Sequence, residues 1–170
     1  MLGYTDHRTR ENTKFGEYST FAGEDILGRN ETVDFFYKFW SALERPTRKD
    51  IRPQDLKAYL DHVVLMDVTK SREPFALEVR LIGTFVAHYY GEISGKDIYD
   101  MPNQKAAQRI YHTCNLAINQ QIPMLTVTPG FDEGKQYLEA YGLYMPLFNE
   151  VGEVEKIMVC ADIVSLRQGT

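Results

Sequence analysis

The side chains best suited to bind a charged ligand are the arginines of residues 45–53, which read RPTRKDIRP. Arg45, Arg48 and Arg52 can form an anion clamp, because a guanidinium group binds phosphate or carboxylate through paired hydrogen bonds. The alternative is a linker in which Asp50 pairs with a neighbouring arginine. Charged loops are usually solvated and their ion pairs contribute little to stability. We therefore favour the linker.

Arg80 is a separate candidate, because it lies near the end of an otherwise apolar stretch, FALEVRLI. A charged group in such a strand must reach solvent or find a partner, since burying it alone is costly. Asp67 and Glu139 are the candidate partners. In the functional interpretation, Arg80 instead faces the carboxylate of a bound ligand. The sequence leaves both interpretations open.

The histidines and cysteines do not predict a metal site. No two of the four histidines stand at a ligand spacing such as i and i+4, and the two cysteines do not form a Cys-x-x-Cys pair. A single histidine can still ligate haem, and His88 and His112 are the candidates by position. Histidines are more often structural, so haem is disfavoured. We predict no metal and leave the cofactor open.

Recognisable catalytic motifs are missing from the sequence. It contains neither a Gly-x-x-x-x-Gly-Lys loop nor a nucleophile elbow, and no pair of carboxylates suggests acid–base chemistry. A small-molecule enzyme built on a cone-shaped α+β scaffold would have to use Tyr111, His112 or Glu139 as acid or base. We predict that the protein is not an enzyme and keep this enzyme as an alternative.

Composition narrows the class of protein further. The chain has 170 residues, a net charge of −5, 44% apolar and 25% charged residues, which is an ordinary globular balance for one domain. The negative charge disfavours nucleic acid, and no apolar stretch approaches the ~20 residues that span a membrane. Two cysteines without a disulfide framework fit a reducing compartment, so we expect a cytoplasmic protein.

The first well-defined element is an aromatic helix that begins at Asn30 or Thr32 and ends before Pro46. Large apolar residues recur along it at helical spacing and form one broad stripe: Val33, Phe36, Tyr37, Trp40 and Leu43. A large apolar patch of this kind usually marks an interface. We predict that this stripe mediates homodimerisation. The competing outcome is that the helix packs wholly on its own sheet.

The remaining periodicity predicts two strands, short helical turns, a long helix and three more strands. The strands are expected at 62–69, 75–82, 124–128, 138–147 and 155–164, the turns at 83–100 and the helix at 102–121. Short turns between consecutive strands require antiparallel pairing. We expect a poorly ordered leader over 1–30, one domain over 31–166 and a frayed tail over 167–170.

This element order resembles that of a PAS domain, and Gly91 and Gly95-Lys96 stand at positions similar to a glycine pair of that fold. A more specific succession is similar to the bacterial PAS_5 family: Phe39-Trp40, residues 45–53, Leu65-Met66-Asp67-Val68, residues 80–84 and Met145-Pro146-Leu147. The resemblance covers residues 33 to 166. It implies an α+β, PAS-like fold whose five-stranded antiparallel sheet carries helices on one face and an N-terminal helix outside it.

We therefore predict a non-enzymatic PAS-like sensory or regulatory module that acts through protein partners and is gated by a small ligand. A ligand-free dimerisation scaffold is a further alternative. The cavity is expected between the sheet and the long helix, because ligand pockets are concave and mostly apolar with a few polar groups. Its candidate lining residues are Arg80, Thr84, His88, Tyr111 and Tyr141.

Overall fold

The structure, a computed structural model, describes residues 9–13, 16–71, 75–130 and 137–166, with side chains from residue 18 onwards. The strands are β1 (Thr9–Thr13), β2 (Gly16–Ala22), β3 (Val63–Thr69), β4 (Ala76–Ile82), β5 (Met124–Pro129), β6 (Leu138–Phe148) and β7 (Val154–Ser165). The α-helices are α1 (Glu31–Ser41), α2 (Thr84–Tyr90) and α3 (Gln104–Gln120). Short 3-10 helices occupy Gly23–Ile26, Arg48–Asp50, Pro53–His62 and Ile98–Asp100.

The strands form one antiparallel sheet in the order β1-β2-β5-β6-β7-β3-β4. All five predicted strands are present, β3 and β4 form the expected hairpin, and β7 lies between β6 and β3. The α+β, PAS-like fold class is therefore confirmed. The predicted strand count of five is corrected to seven, because β1 and β2 extend the sheet beyond β5.

The two additional strands also correct the predicted leader over residues 1–30. Residues 19–22 pair with β5, and Tyr18 and Phe21 are buried on opposite faces of the sheet. Apolar residues on both faces leave no simple alternation along the segment, which is why the sequence pattern did not reveal it. Residues 1–8 of that leader and the predicted tail over 167–170 lie outside the described residues.

Helix α1 covers one face of the sheet, opposite α2 and α3. Asn30 is its N-cap, with the Asn30 side-chain oxygen accepting a hydrogen bond from the Val33 N–H at 2.9 Å. Val33 and Phe36 are 0% exposed and pack in a core with Leu143 and Met158 of the central strands. The N-terminal helix is therefore part of the chain's own core.

That packing corrects Val33 and Phe36 as candidates for the homodimer interface, whereas an interface through the remaining residues of the stripe stays a prediction. Val33 and Phe36 have no surface left for a second chain. Tyr37, Trp40 and Leu43 are only partly buried, but they pack against the same core. The Trp40 indole N–H also donates to the Pro146 carbonyl oxygen at 2.8 Å. The chain's own sheet covers the inner side of the stripe, as in the competing outcome.

The opposite face of the sheet is covered by α2, the 3-10 helix at Ile98–Asp100, and α3. Helix α2 begins directly after a close crossing, in which the Gly83 N–H donates to the Val63 carbonyl oxygen at 2.8 Å. A Cβ on Gly83 would lie 2.2 Å from the Asp61 carbonyl oxygen, so only glycine fits there. This crossing fixes α2 over the sheet and defines one wall of the space beneath it.

Candidate functional site

A cavity of about 50 Å³ lies between the sheet and the helices α2 and α3. Strands β3, β5, β6 and β7 form its floor, and the segment from Ile93 to Met101 closes one side. Its location agrees with the prediction from the sequence. The volume is small beside the roughly 300–1,000 Å³ of pockets that hold drug-sized ligands, so it suits a few atoms or water molecules.

The floor of the cavity carries hydroxyl groups at regularly alternating positions. Thr126 and Thr128 are two residues apart on β5 and pair with Gly142 and Ala140 of β6, which places these residues on one face. Both threonines are buried. A buried strand usually carries apolar side chains on such a face. The two threonine hydroxyls therefore make this floor suited to polar contacts.

Gly142 leaves room in the floor for the ring of Tyr144. A Cβ at Gly142 would lie 3.0 Å from Tyr144 Cε1 and 3.1 Å from its hydroxyl oxygen. The Tyr144 side chain is hydrogen-bonded to Thr126. Burial raises the pKa of Tyr144 strongly and outweighs the opposing effect of this hydrogen bond. Tyr144 is therefore a neutral hydroxyl at neutral pH.

Arg109 of α3 is the charged residue at this cavity. It is only 7% exposed and lines the cavity together with Tyr90 of α2. The two side chains are hydrogen-bonded, with the guanidinium donating to the Tyr90 oxygen. Burial raises the pKa of Tyr90 and Arg109 lowers it by less, so the phenol also stays neutral. Within the described ranges, no carboxylate forms a salt bridge with Arg109.

The sequence prediction missed Arg109, although a helical signal for it was present. Arg109 is three residues after Ala106, four before Thr113 and eight before Ala117, all of them buried. Such spacings place residues on one helix face. A charged residue at the same spacing as these apolar and small residues indicates that the buried face of α3 contains a cation.

Tyr141 is the one predicted candidate among the cavity-lining residues, but its side chain points elsewhere. It packs against the α1-side core, and its hydroxyl donates to Glu139 Oε1 at 2.6 Å. Alternation along β6 explains this, because Tyr144 and Gly142 face the cavity while Tyr141 faces the other side. Burial and the Glu139 hydrogen bond both raise the pKa of Tyr141.

The prediction that Arg80 lines the cavity is wrong, because Arg80 lies on the α1 side of the sheet. The pairing of β3 and β4 slips by one residue beside Arg80, from Met66–Val79 to Leu65–Leu81. The Arg80 side chain is exposed and bonds to Asp67, one of its two predicted partners. The structure therefore supports the ion-pair interpretation over the ligand interpretation.

Asp67 is the centre of this surface ion-pair group, where it accepts hydrogen bonds from both Arg80 and Lys156. Burial raises the pKa of Asp67, but the two hydrogen bonds and the charges of Lys156 and Arg80 outweigh it. The net pKa of Asp67 is lowered. The hydrogen bond to Asp67 and its charge raise the pKa of Arg80, and the charge of Glu78, 3.6 Å from the guanidinium, adds to this.

The other predicted lining residues also lie away from the cavity. Thr84 and His88 are exposed on α2. The Tyr111 ring is stacked between Phe75 and Tyr99, with centroid separations of 5.1 and 4.3 Å, and its hydroxyl donates to the Phe75 carbonyl oxygen. Tyr111 thus fastens α3 to the start of β4. The prediction that these three residues line the cavity is therefore wrong.

The arginines of residues 45–53 do not converge on a common point. Arg45 donates to the Gly152 carbonyl oxygen at 2.7 Å, and Arg48 donates to the Ile51 carbonyl oxygen at 3.0 Å. Arg52 forms its own ion pair with Asp55 at 3.0 Å. These separate partners support the linker over the anion clamp. Asp50, however, accepts from the Thr47 N–H instead of pairing with an arginine.

The residues of the alternative acid–base site occupy separate hydrogen bonds. The Tyr18 hydroxyl lies 2.8 Å from His112 Nδ1, while Glu139 accepts from Tyr141 and Tyr111 donates to Phe75. The part of the chain that the structure describes contains no group of three metal-ligating side chains. Among the helices of that part, none is long and apolar enough to cross a membrane.

The five antiparallel strands β5-β6-β7-β3-β4, with short helices and a long helix over one face, form a PAS-like domain that β1 and β2 extend. A family model described as a PAS domain matches residues 29–161, and the chain belongs to this PAS_5 family. Among curated proteins, none matches the chain.

Two solved structures are similar to the chain at low sequence identity. One is a sensory box sensor histidine kinase from Vibrio cholerae, with a TM-score of 0.46 and 15% identity over 66% of this chain and 91% of that one. The other is an RNA-binding light-oxygen-voltage receptor, with a TM-score of 0.46 and 14% identity. That match covers 73% of this chain and 38% of the receptor chain.

Proposed function

We propose that this PAS domain is a non-enzymatic sensory or regulatory module that acts through protein contacts and is gated by a small ligand in the cavity beneath α2 and α3. Membership of the PAS_5 family supports both parts of this proposal, because PAS domains are generally sensory modules and often mediate protein–protein interaction. The observation that supports ligand binding is the cavity itself, which combines an apolar wall with buried polar side chains.

The wall of the cavity is suited to transmit the presence of a ligand to the surface. Ile93 and Ile98 line the cavity, and the chain between them bonds to the edge strand β4. The Val79 N–H donates to the Lys96 carbonyl oxygen at 2.9 Å, and the Gly95 N–H donates to the Val79 carbonyl oxygen at 2.7 Å. An occupant that moves these isoleucines therefore moves a segment joined to the edge strand of the sheet.

A ligand-free scaffold is a second candidate function, and the small cavity volume of about 50 Å³ favours it. In that case side chains alone fill the interior and the module only holds proteins together. The two candidates make different demands on the buried polar groups. A scaffold gains nothing from an arginine beside the cavity, whereas a ligand-gated module uses it for recognition.

Native mass spectrometry of the chain purified from cells tests the proposed function, because it reports both bound small molecules and the oligomeric state. We expect a retained mass on the wild-type chain that is lost in Ala161→Val, where the added methyl groups fill the cavity. The matched control is Ala76→Val, an equally buried alanine on β4 that does not line the cavity. A wild-type chain that carries no mass, even after exposure to a metabolite mixture, would support the scaffold.

A further inference from the structure

The buried guanidinium of Arg109 lacks a matching anion in the described part of the protein. Arg109 is 7% exposed, and neither aspartate nor glutamate occurs among the residues that line its cavity. Burying an arginine without a counter-charge is unfavourable, because the interior screens charge poorly and hydration is lost. The fold nevertheless holds Arg109 on the inner face of α3, in the same turn as Ala106 and Ala107.

Among the described residues that line the cavity, Tyr90 is the hydrogen-bond acceptor for Arg109. A guanidinium presents five N–H donors in a fork that matches a carboxylate. Tyr90 accepts from this group, and the other polar side chains that face the cavity are the neutral hydroxyls of Thr126, Thr128 and Tyr144. Hydroxyls of this kind can donate to an anion, so the cavity combines one cation with several neutral donors.

We propose that the cavity binds a small organic carboxylate, with Arg109 pairing its charge and the floor hydroxyls donating to its oxygens. The inference rests on the proposed function, because it names the class of ligand that the module detects. Met66, Ile98 and Met101 line the rest of the cavity and would contact a short alkyl chain. The volume of about 50 Å³ restricts the ligand to acids of the size of acetate or propionate.

The test is an NMR titration of the full chain at neutral pH, following backbone amides of β5 and α3. The probes are sodium propionate, the neutral isostere propionamide, and sodium chloride at matched ionic strength. We expect saturable shifts at Thr126 and Arg109 with propionate, and at least about tenfold weaker binding of propionamide, because a charged hydrogen-bonded pair is lost. Equal responses to propionate and chloride would overturn the carboxylate site.

Variants assign the effect to one arginine. Arg109→Met keeps an unbranched apolar stem but removes the charged guanidinium, and we expect at least about a tenfold loss of propionate affinity. Arg80→Met is the matched control, since Arg80 is exposed on the other face of the sheet, and its affinity should equal that of the wild type. Unchanged affinity in Arg109→Met would refute the proposal.

Two further comparisons keep the proposal testable if Arg109→Met does not fold. Arg109→Lys retains the charge but not the fork, so it should bind propionate more weakly than the wild type. The comparison of propionate with propionamide needs no variant at all. If both probes bind equally well, the cavity takes a small ligand and the proposed function stands, but the anion site fails. If neither binds and native mass spectrometry finds no retained mass, both proposals fail.

Discussion

The two faces of the central sheet are built from alternate residues of the same strands, yet they differ in chemistry. On the α1 side, Phe36 meets Leu143 and Met158 in a fully buried apolar core. On the other side, the neighbouring residues surround a cavity that also contains Arg109 and Thr126. Helices cover both faces, so exposure does not explain why Arg109, Thr126 and Thr128 are polar groups on the cavity side, since all three are buried.

This difference suggests a division of labour within one sheet. The α1 face supplies stability, because buried apolar area without voids is the main favourable contribution to folding. The cavity face gives up some of that contribution by burying hydroxyls and a guanidinium. Removing a side chain from the first face should therefore cost more free energy of unfolding than a change on the second face, where ligand binding should change as well.

The largest expected effect on stability is that of Phe36→Ala. The Phe36 side chain is fully buried in the α1-side core, so its removal leaves a cavity and should lower the free energy of unfolding by about 3–5 kcal/mol. Urea denaturation measures this change. Tyr37→Ala is a comparison on the same helix, where the side chain is only partly buried and the loss should be smaller. Equal losses would contradict the account of α1.

A smaller loss is expected for Gly142→Ala on the cavity face. The new Cβ would lie 3.0 Å from the Tyr144 ring, and the resulting overpacking should cost about 1–3 kcal/mol. The same substitution in a Tyr144→Leu background should cost less, because the ring that it touches is gone. Urea denaturation of the four chains gives this comparison. A cost independent of residue 144 would show that Gly142 serves another purpose.

Trp40→Phe sharpens the placement of α1 on its own sheet. Phenylalanine keeps most of the ring but lacks the N–H that donates to the Pro146 carbonyl oxygen. We expect a loss of about 1 kcal/mol in the free energy of unfolding, typical of one hydrogen bond. Light scattering should give the same mass in solution for both proteins. A lower mass for Trp40→Phe than for the wild type would instead support the predicted dimer interface.

The smallest expected effect is a pH dependence at the Asp67 group. The folded pKa of Asp67 is lowered, so its ion pairs contribute stability above the unfolded pKa of about 3.9 and lose it as the pH falls through the folded value. The stability difference between the wild type and Asp67→Asn should therefore be constant near neutral pH and shrink below about pH 4. A difference that is the same at pH 7 and pH 3 would contradict this.

Helices and strands whose apolar residues follow a single period, and whose ends are marked by turn residues, were predictable from sequence. The strand predicted at 138–147 corresponds to Leu138–Phe148, and the helix predicted at 102–121 corresponds to Gln104–Gln120. Strand β2 was missed, because its residues 18–22 bury side chains on both faces of the sheet and lack alternation. Local periodicity also could not show whether the α1 stripe meets its own sheet or a second chain.

The candidate site was less predictable than the fold, for two reasons that are visible in individual residues. Arg80 lies on the α1 side because it alternates along β4 with Leu77 and Val79, which pack on the cavity side, and the sequence alone does not tell which face of a strand meets the cavity. Arg109 was readable from its spacing with Ala106 and Thr113. Charged residues on helices are usually solvated, however, and that general expectation hid it.

Hydrogen–deuterium exchange of the full chain with and without propionate tests the central claim most directly, because it reports both faces of the sheet in one experiment. We expect added protection in α2, in residues 93–101 and in α3, where the cavity is lined, with unchanged exchange in α1. The Arg109→Met chain should show no such change. Protection that appears equally in α1, or that persists in Arg109→Met, would contradict a sheet with one stabilising face and one ligand-binding face.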